Sequence, residues 1–277
     1  QKENGYNIWA ADPLYKQREV CLALNGREVQ IAFPKEGLTG STTFTDIAAI
    51  QPFDLKCEYL ENPLGIDVPK PRLSWKMGTT TSMRGLKQTA YQILVSSSEA
   101  LLDANRADLW DSGRINTNES VNIVYEGVPL IAGQKCFWKV RFSDEQGNWS
   151  SWSAPASWRM GLLADDWGAQ WIGSEKMEAQ SVGRKVNNVM PDPWFRKTFN
   201  LETIPQDAVI YVASVGYHEL YVNGKKVGDA VLSPSVTDHK SRARYMTYDI
   251  TNYLKSGNNV IALWLGTSWS IFPAYQR

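Results

Sequence analysis

The sequence predicts an all-β chain built from two β-sandwiches. The first observation is a series of short segments in which apolar and polar residues alternate, separated by turn residues, with no run of amphipathic helices. The second is a pair of dipeptides, Asn25-Gly26 and Asn223-Gly224, each placed between two alternating segments. Asn-Gly favours the type I′ turn of a β-hairpin because both turn residues adopt positive φ. The third is the length, since 277 residues suit about two domains.

Residues 1–50 contain one clear element, a hairpin followed by a linker. Val20, Leu22 and Leu24 alternate before Asn25-Gly26, and the same alternation continues after it. A lone hairpin is only marginally stable in water, so we expect this one to dock on another domain. The Gly-, Ser- and Thr-rich run over residues 37–46 is typical of a linker.

Residues 51–162 are predicted to form a sandwich of the fibronectin-III or immunoglobulin type, because short strands and turns follow one another at the spacing of that fold. The predicted strands are Phe53–Tyr59, Arg72–Trp75, Ala90–Ser96, Leu109–Arg114, Ile123–Tyr125, Cys136–Ser143 and Ala156–Met160. A short helix is expected at Glu99–Asn105, with Ser96 and Glu99 as its capping box.

The segment from Cys136 to Ser143 carries the clearest alternation. It predicts a solvated face and a buried face, formed respectively by Phe137, Lys139 and Arg141 and by Trp138, Val140 and Phe142. The cysteines allow two interpretations. Cys57 and Cys136 could pair across this sandwich, or all three cysteines, Cys21 included, could be buried thiols.

Residues 163–277 are predicted to form the second sandwich. Its predicted elements are strands at 194–201 and 208–214, a hairpin around Asn223-Gly224, a strand from Tyr245, a helical turn at Thr251–Leu254 and a strand at Val260–Leu265. Trp167 and Trp171 are expected to wedge the two sandwiches together, since a domain junction buries apolar area. Residues 174–193 are predicted to be a long surface loop.

Composition excludes some classes of function. The 29 basic and 29 acidic residues cancel, so the chain lacks the basic surface of a nucleic-acid-binding protein. No apolar run approaches the ~20 residues of a membrane helix, and we expect no membrane span and a soluble chain. Because the chain starts at Gln1 without Met, we expect a processed or trimmed product that is secreted or periplasmic.

Catalytic motifs are missing from the sequence. It has no Gly-rich phosphate loop, no zinc-binding His-Glu-x-x-His and no Gly-x-Ser-x-Gly nucleophile elbow. Asp165 and Asp166 are adjacent and point to opposite sides of an extended chain, so they cannot flank one glycosidic bond. Glu219 is expected on the polar face of a strand. We therefore predict no catalytic residue in this chain.

Four stretches resemble the amino-terminal region of bacterial α-L-rhamnosidases. They are LYVNGKKVGDAVLSP (220–234) with YMTYDITNYLKSGNNVIALWLG (245–266), DLKCEYLENPLGIDVPKPRLSWKM (54–77) and WRMGLLADDWGAQWIG (158–173). The resemblance implies that residues 163–277 form a jelly-roll, galactose-binding-like domain. It also implies a parent enzyme that removes terminal α-L-rhamnosyl residues from plant glycans or glycosides by inversion, with its catalytic barrel downstream and absent here.

The second sandwich is a candidate for carbohydrate binding, which needs aromatic faces beside fixed hydrogen-bonding groups. The loop-borne candidates are Tyr217, His218, Asn223, Asp238, Trp269 and Tyr275. The resemblance further implies a calcium-dependent rhamnose site, for which Asn223, Asp229 and Asp238 could supply oxygen ligands. The alternatives are a scaffold that only shapes the catalytic domain and an adhesin-like module pair with no attached enzyme.

Overall fold

The computed structural model confirms the all-β class, with strands in five sheets and one short α-helix among the residues it describes. These residues are 50–79, 84–162, 166–173, 193–238 and 241–266, together with the backbone of 19–24 and 27–32. The chain divides into two compact units, Gln1–Ile47 and Ala48–Arg277. Within the described ranges, no helix is long and apolar enough to cross a membrane.

The first unit contains the predicted hairpin. Strand β1 (Glu19–Leu24) pairs antiparallel with β2 (Arg27–Ala32), and Leu24 lies opposite Arg27. Two residues therefore connect the strands, as the Asn-Gly signal predicts.

The second unit begins with a sandwich of eight strands. They are β3 (Ile50–Cys57), β4 (Leu64–Ile66), β5 (Arg72–Thr79), β6 (Ala90–Ser96), β7 (Trp110–Asp111), β8 (Ile123–Val124), β9 (Lys135–Ser143) and β10 (Ala156–Met160). One sheet has the order β3-β5-β8 and the other β4-β10-β9-β6-β7. All seven predicted strands are present, with shifted ends in five of them. Strand β4 escaped prediction because three residues are too few to show an alternation.

The core of this sandwich is rich in aromatic residues. Trp75, Trp138, Trp158 and Tyr125 are almost completely buried between the two sheets. Cys57 and Cys136 lie in the same core as free thiols, which matches the buried-thiol interpretation for these two. Burial raises the pKa of Cys136 to about 12 and that of Cys57 further, so both thiols stay protonated at neutral pH. The side chain of Cys21 lies outside the described residues.

Strand β9 corrects one expectation. Its buried face is as predicted, with Trp138, Val140 and Phe142 inaccessible to solvent. Its other face is covered by two tryptophans rather than solvated. The Arg141 guanidinium lies 4.6 Å from the ring centre of Trp149 and 4.7 Å from that of Trp152. Lys139 is only 7% exposed, and its ammonium donates to the Leu102 carbonyl at 2.5 Å. Cation–π stacking explains how cations are tolerated there.

Helix α1 (Glu99–Asp103) begins at the predicted residue, but its predicted cap was wrong. Ser98 is the N-cap, and its hydroxyl accepts a hydrogen bond from the Leu101 amide. Ser96 cannot serve because it is still the last residue of β6. The helix also ends two residues earlier than expected.

The second sandwich is smaller. Its strands are β11 (Trp194–Leu201), β12 (Val209–Ala213), β13 (Tyr217–Val222), β14 (Lys225–Lys226), β15 (Tyr245–Asp249) and β16 (Gly257–Gly266), with a 3₁₀ turn at Thr251–Tyr253. The sheets are β11-β16-β13-β14 and β12-β15. Their facing sides bury Val212, Leu220, Val222, Val227, Tyr248 and Ile250. The predicted loop at 174–193 lies outside the described residues, apart from Pro193.

The hairpin between β13 and β14 has the predicted turn. Val222 lies opposite Lys225, and Asn223 and Gly224 both have positive φ, +52° and +81°. Both torsions fall in the left-handed region that the type I′ turn requires. This turn places Leu220 and Val222 on the core side of the sheet.

The two sandwiches meet at a polar junction. Arg159 on β10 is buried, and its guanidinium pairs with Asp207, which precedes β12. The same guanidinium donates to the Gly133 carbonyl at 2.8 Å. Tyr245 on β15 donates to the Leu162 carbonyl at 3.3 Å. The Gly133 bond lies within the first sandwich, so the junction joins the two sandwiches through the Tyr245 hydrogen bond and the Arg159–Asp207 charge pair.

Only one of the two tryptophans predicted to wedge this junction takes part. Trp167 packs edge-on against Tyr245, with ring centres 5.3 Å apart. Trp171 is 67% exposed, so its predicted burial was wrong. The spacing of four residues implied a helical face, but the described part of this segment is mostly without regular secondary structure, so the spacing does not place both rings at the junction.

Candidate functional site

The carbohydrate-binding candidates from the sequence lie at several places in the second sandwich. Tyr217 is half-buried at the start of β13, opposite Gly266. His218 is buried, Asn223 forms a turn, and Asp229 and Asp238 are exposed. Trp269 and Tyr275 lie outside the described residues, as does His239.

His218 connects the two sheets of the second sandwich from inside. Its Nδ1 is 2.8 Å from the Ser214 hydroxyl, and its Nε2 is 3.0 Å from the Tyr248 hydroxyl. One ring nitrogen donates and the other accepts in the neutral imidazole. Burial lowers the pKa of His218 to about 4, so the ring is neutral at physiological pH. Its polar atoms are therefore used within the core.

Asn223 also uses its side chain within the protein. Its amide nitrogen donates to the Tyr253 carbonyl and to Asn259 Oδ1, both at 2.8 Å. Its amide oxygen accepts from the Val260 backbone at 2.9 Å. These bonds fasten the β13–β14 turn to the start of β16.

The two acidic residues considered for calcium have separate settings. Asp238 caps a turn, because its carbonyl accepts from the Ser241 and Arg242 amides and its carboxylate accepts from the Ser241 hydroxyl at 3.0 Å. Asp229 is exposed after Gly228, which has a φ of +74°. Over the described part of the chain, no group of three His, Cys, Asp or Glu side chains is placed to hold a metal ion. Calcium usually takes six to eight oxygen ligands.

An apolar cleft of about 440 Å³ opens between the two sheets of the second sandwich. Trp167, Trp171 and Ile172 form one wall. The opposite wall is formed by inward-facing side chains, among them Ile210, Val212, Leu220, Ile261 and Leu263. None of the lining residues is charged, so the cleft can hold apolar groups but offers no carboxylate for acid–base chemistry.

The opposite, outward face of the four-stranded sheet carries an aromatic cluster that sequence reasoning missed. Trp194 on β11 and Trp264 on β16 are cross-strand partners, and their rings stack with centres 4.8 Å apart and planes 16° apart. The Tyr221 ring on β13 lies 6.1 Å from Trp194. Trp194 is 60% and Trp264 38% exposed. The three rings therefore form an accessible aromatic surface.

Polar groups border these rings. Glu219, the other cross-strand partner of Trp264, accepts from the Lys226 ammonium at 2.5 Å and from the Tyr221 hydroxyl at 2.6 Å. The hydrogen bond from Lys226 is the main cause that lowers the pKa of Glu219. Arg196 is exposed and forms no salt bridge to any described residue. We call Trp194, Arg196, Glu219, Tyr221, Lys226 and Trp264 the outer aromatic face.

The signal for this face exists in the sequence but needs the strand pairing to be seen. Trp194 and Arg196 alternate along one strand, and Ala262 and Trp264 along another, as expected for one side of a sheet. The sequence does not reveal that β11 and β13 both pair with β16. This pairing places Trp194, Trp264 and Glu219 in one row across the sheet.

The described carboxyl groups with a shifted pKa all shift downward. Hydrogen bonds from Lys76, Arg72 and Lys226 lower the pKa values of Asp54, Glu58 and Glu219 respectively. For Asp108, burial raises the pKa, but hydrogen bonds from Ser97 outweigh it. A general acid of a glycosidase has a raised pKa instead. These carboxylates are therefore suited to structural pairing.

Comparison with known proteins finds that both sandwiches are similar to amino-terminal domains of α-L-rhamnosidases. The sequence profile of the Rha78A-like, N-terminal immunoglobulin domain matches residues 52–164. The profile of the alpha-L-rhamnosidase N-terminal domain matches residues 203–273. The two matches occur in the order that the resemblance predicts.

Curated relatives and solved structures agree. An alpha-L-rhamnosidase of Formosa agariphila is 37% identical over 213 residues, which are 76% of this chain and 23% of the relative. One of Streptomyces avermitilis is 34% identical over 231 residues, 78% of this chain and 22% of the relative. The structure of alpha-L-rhamnosidase from Dictyoglumus thermophilum superposes with a TM-score of 0.71 at 36% identity, over 79% of this chain and 25% of that one. The chain thus spans about a quarter of the length of these relatives.

Proposed function

Because this chain carries the amino-terminal domains of the α-L-rhamnosidase family, we propose that it is a non-catalytic, accessory region of such an enzyme. The parent enzyme removes terminal α-L-rhamnosyl residues from plant glycans or glycosides with inversion of configuration. Its substrates are rhamnose-containing carbohydrates, and its catalytic domain follows in the same polypeptide. The enzyme is secreted or periplasmic, because its glycan substrates lie outside the cytoplasm.

The observation that carries this proposal is the ordered match of both sandwiches to α-L-rhamnosidases across more than three quarters of the chain. The geometry supports the accessory role. The shifted carboxyl groups are held ionised by cations and hydrogen bonds, and the apolar cleft of the second sandwich carries no charged side chain. Neither arrangement provides the acid and base that glycoside hydrolysis requires.

The junction between the sandwiches supports a scaffolding role. Arg159 and Asp207 form a charge pair between them, and the Tyr245 hydroxyl bonds the Leu162 carbonyl across the same boundary. Arg159 is buried and Asp207 is half-exposed, so separating the sandwiches would leave the buried guanidinium without its counter-charge, and this contact resists their separation. We infer that both sandwiches are presented to the catalytic domain as one body.

Hydrolysis of p-nitrophenyl α-L-rhamnopyranoside tests the proposed function. We expect no release of p-nitrophenol by the 277-residue chain, and release by the longer polypeptide from the same gene. The sugar first released by the longer polypeptide should be β-L-rhamnose in an NMR time course, as inversion requires. Hydrolysis by the 277-residue chain would disprove the accessory role, and a longer polypeptide inactive on α-L-rhamnosides would disprove the family activity.

A further inference from the structure

The outer aromatic face has the layout of a binding surface for an extended ligand. Three rows cross the sheet: Trp194, Trp264 and Glu219 form one, Arg196, Ala262 and Tyr221 the next, and Thr198 with Val260 the third. Neighbouring strands lie about 4.8 Å apart, and alternate residues along a strand about 7 Å apart. Ala262 lies between Arg196 and Tyr221 in the second row, and its side chain is much smaller than theirs. The face is therefore a shallow surface with aromatic and charged groups at different positions.

The rings can stack on a sugar. Trp194 keeps 60% of its surface accessible although it stacks on Trp264. Indole faces pack against apolar C–H groups, and sugar sites combine such a face with a few oriented polar groups. The Tyr221 hydroxyl and the Glu219 carboxylate are fixed beside the rings by their hydrogen bond to each other. This part of the face suits a pyranose ring.

The charges specify the ligand further. Two cations, Arg196 and Lys226, lie on the same side of the sheet as one carboxylate, Glu219, and that carboxylate is paired with Lys226. Arg196 is left without a salt bridge to any residue that the structure describes, on the same side of β11 as Trp194. A guanidinium binds a carboxylate or sulfate through two parallel hydrogen bonds. The face thus complements a saccharide with a negative group about one sugar residue away from the stacked ring.

We propose that the outer aromatic face binds an anionic saccharide chain, with a pyranose ring on Trp194 and a carboxylate or sulfate on Arg196. The inference rests on the proposed function only for the choice of carbohydrate as the partner. Negative groups on saccharides are uronate carboxylates or sulfate esters, and both fit the guanidinium. The loops carrying Asp229 and Asp238 take no part, so binding does not require calcium.

The test is a titration of the 277-residue chain, followed by tryptophan fluorescence and calorimetry. The probes are an oligogalacturonate, a sulfated oligosaccharide and a neutral rhamno-oligosaccharide, each with calcium and with EDTA. We expect saturable binding of at least one anionic probe at least about tenfold tighter than the neutral one, independent of calcium. The tighter anionic probe identifies uronate or sulfate as the ligand group.

Matched variants locate the site. Trp194→Ala and Arg196→Gln should each weaken binding about tenfold or more. Trp171→Ala, which removes another exposed indole, and Lys197→Gln, which removes the charge next in sequence, should change it less than about twofold. Trp194→Tyr, which keeps an aromatic face, should retain most of the affinity. The thermal midpoint of each variant should match that of the parent.

Several results would overturn the proposal. Equal losses in Arg196→Gln and Lys197→Gln would indicate non-specific attraction of anions. Binding that disappears with EDTA would place the sugar at the loops, and equal affinity for the neutral probe would remove the role of Arg196. A lower midpoint for both Trp194 variants, or a dimer that Trp194→Ala dissociates, would show that protein covers this face. The hydrolysis assay is independent, because it measures the longer polypeptide on a small neutral glycoside.

Discussion

Leu220→Ala is expected to lower the free energy of unfolding of the second sandwich by about 2–4 kcal/mol. Leu220 is only 1% exposed and packs between the two sheets of that sandwich. Truncation removes three buried carbon atoms and leaves a cavity that the surrounding strands fill only in part. The measurement is urea denaturation of both chains at the same pH, with the difference taken at the transition midpoint.

Leu232→Ala is the matched control, because it deletes the same atoms from a side chain that is 70% exposed. Its effect should stay within about 0.5 kcal/mol, as is usual for surface positions. If Leu220→Ala unfolds at the midpoint of the parent chain, then β13 does not form the core of this sandwich. The hairpin assignment on which the site geometry depends would then be wrong.

Acidification from pH 7 to pH 5 should cost the chain about 2 kcal/mol of stability through His218 alone. The pKa of His218 is lowered by burial to about 4, whereas an unfolded histidine titrates near 6.5. As the pH falls below about 6.5, His218 becomes protonated in the unfolded chain, whereas in the folded chain it stays neutral until about pH 4. The unfolded state binds more protons in this window, so stability falls as pH falls through it.

His218→Gln removes this titration while leaving a polar side chain for Ser214 and Tyr248. We expect the variant to be less stable than the parent at pH 7, because the imidazole geometry is lost. Its further loss between pH 7 and pH 5 should be about 2 kcal/mol smaller than that of the parent. Urea denaturation of both chains at the two pH values gives this double difference. Equal losses in both would mean that His218 is solvated and free to titrate.

Local patterns predicted most of the strands. Ala90–Ser96, Ala156–Met160 and Trp194–Leu201 are found with the predicted ends, because apolar alternation and flanking turn residues mark them. The hairpin turn at Asn223 follows from its dipeptide, since few residues other than Asn and Gly adopt its torsions. These features depend on neighbours in the sequence, which is why the sequence reveals them.

Features that depend on distant residues were not predictable in the same way. Lys139 looks solvated by alternation, but Trp152 reaches it from the following segment. Ser98 displaces Ser96 as the helix cap because the pairing of β6 extends to Ser96. The outer aromatic face depends on β16 lying between β11 and β13, a pairing across about seventy residues at one edge. The sequence shows which residue types lie on these three strands, but it does not show that the strands bring them together.

Burial separates two kinds of candidate site in the second sandwich. His218 lies on a strand and Asn223 in a turn, and the polar side-chain atoms of both are already hydrogen-bonded within the protein. Trp194 and Arg196 are exposed on a strand of the four-stranded sheet. A rigid strand positions a ligand-binding group more accurately than a loop does. The sheet face, rather than the loops, is therefore our proposed surface for carbohydrate.

Calorimetric titration of the 277-residue chain with L-rhamnose, with and without calcium, tests most directly whether the loops of this region are structural. We predict no calcium-dependent heat at millimolar sugar, because Asn223 is engaged within the fold and Asp229 and Asp238 lie outside any described cluster of metal-binding groups. Saturable heat that appears only with calcium would contradict this. It would make the second sandwich a calcium-dependent rhamnose-binding domain centred on Asp229 and Asp238.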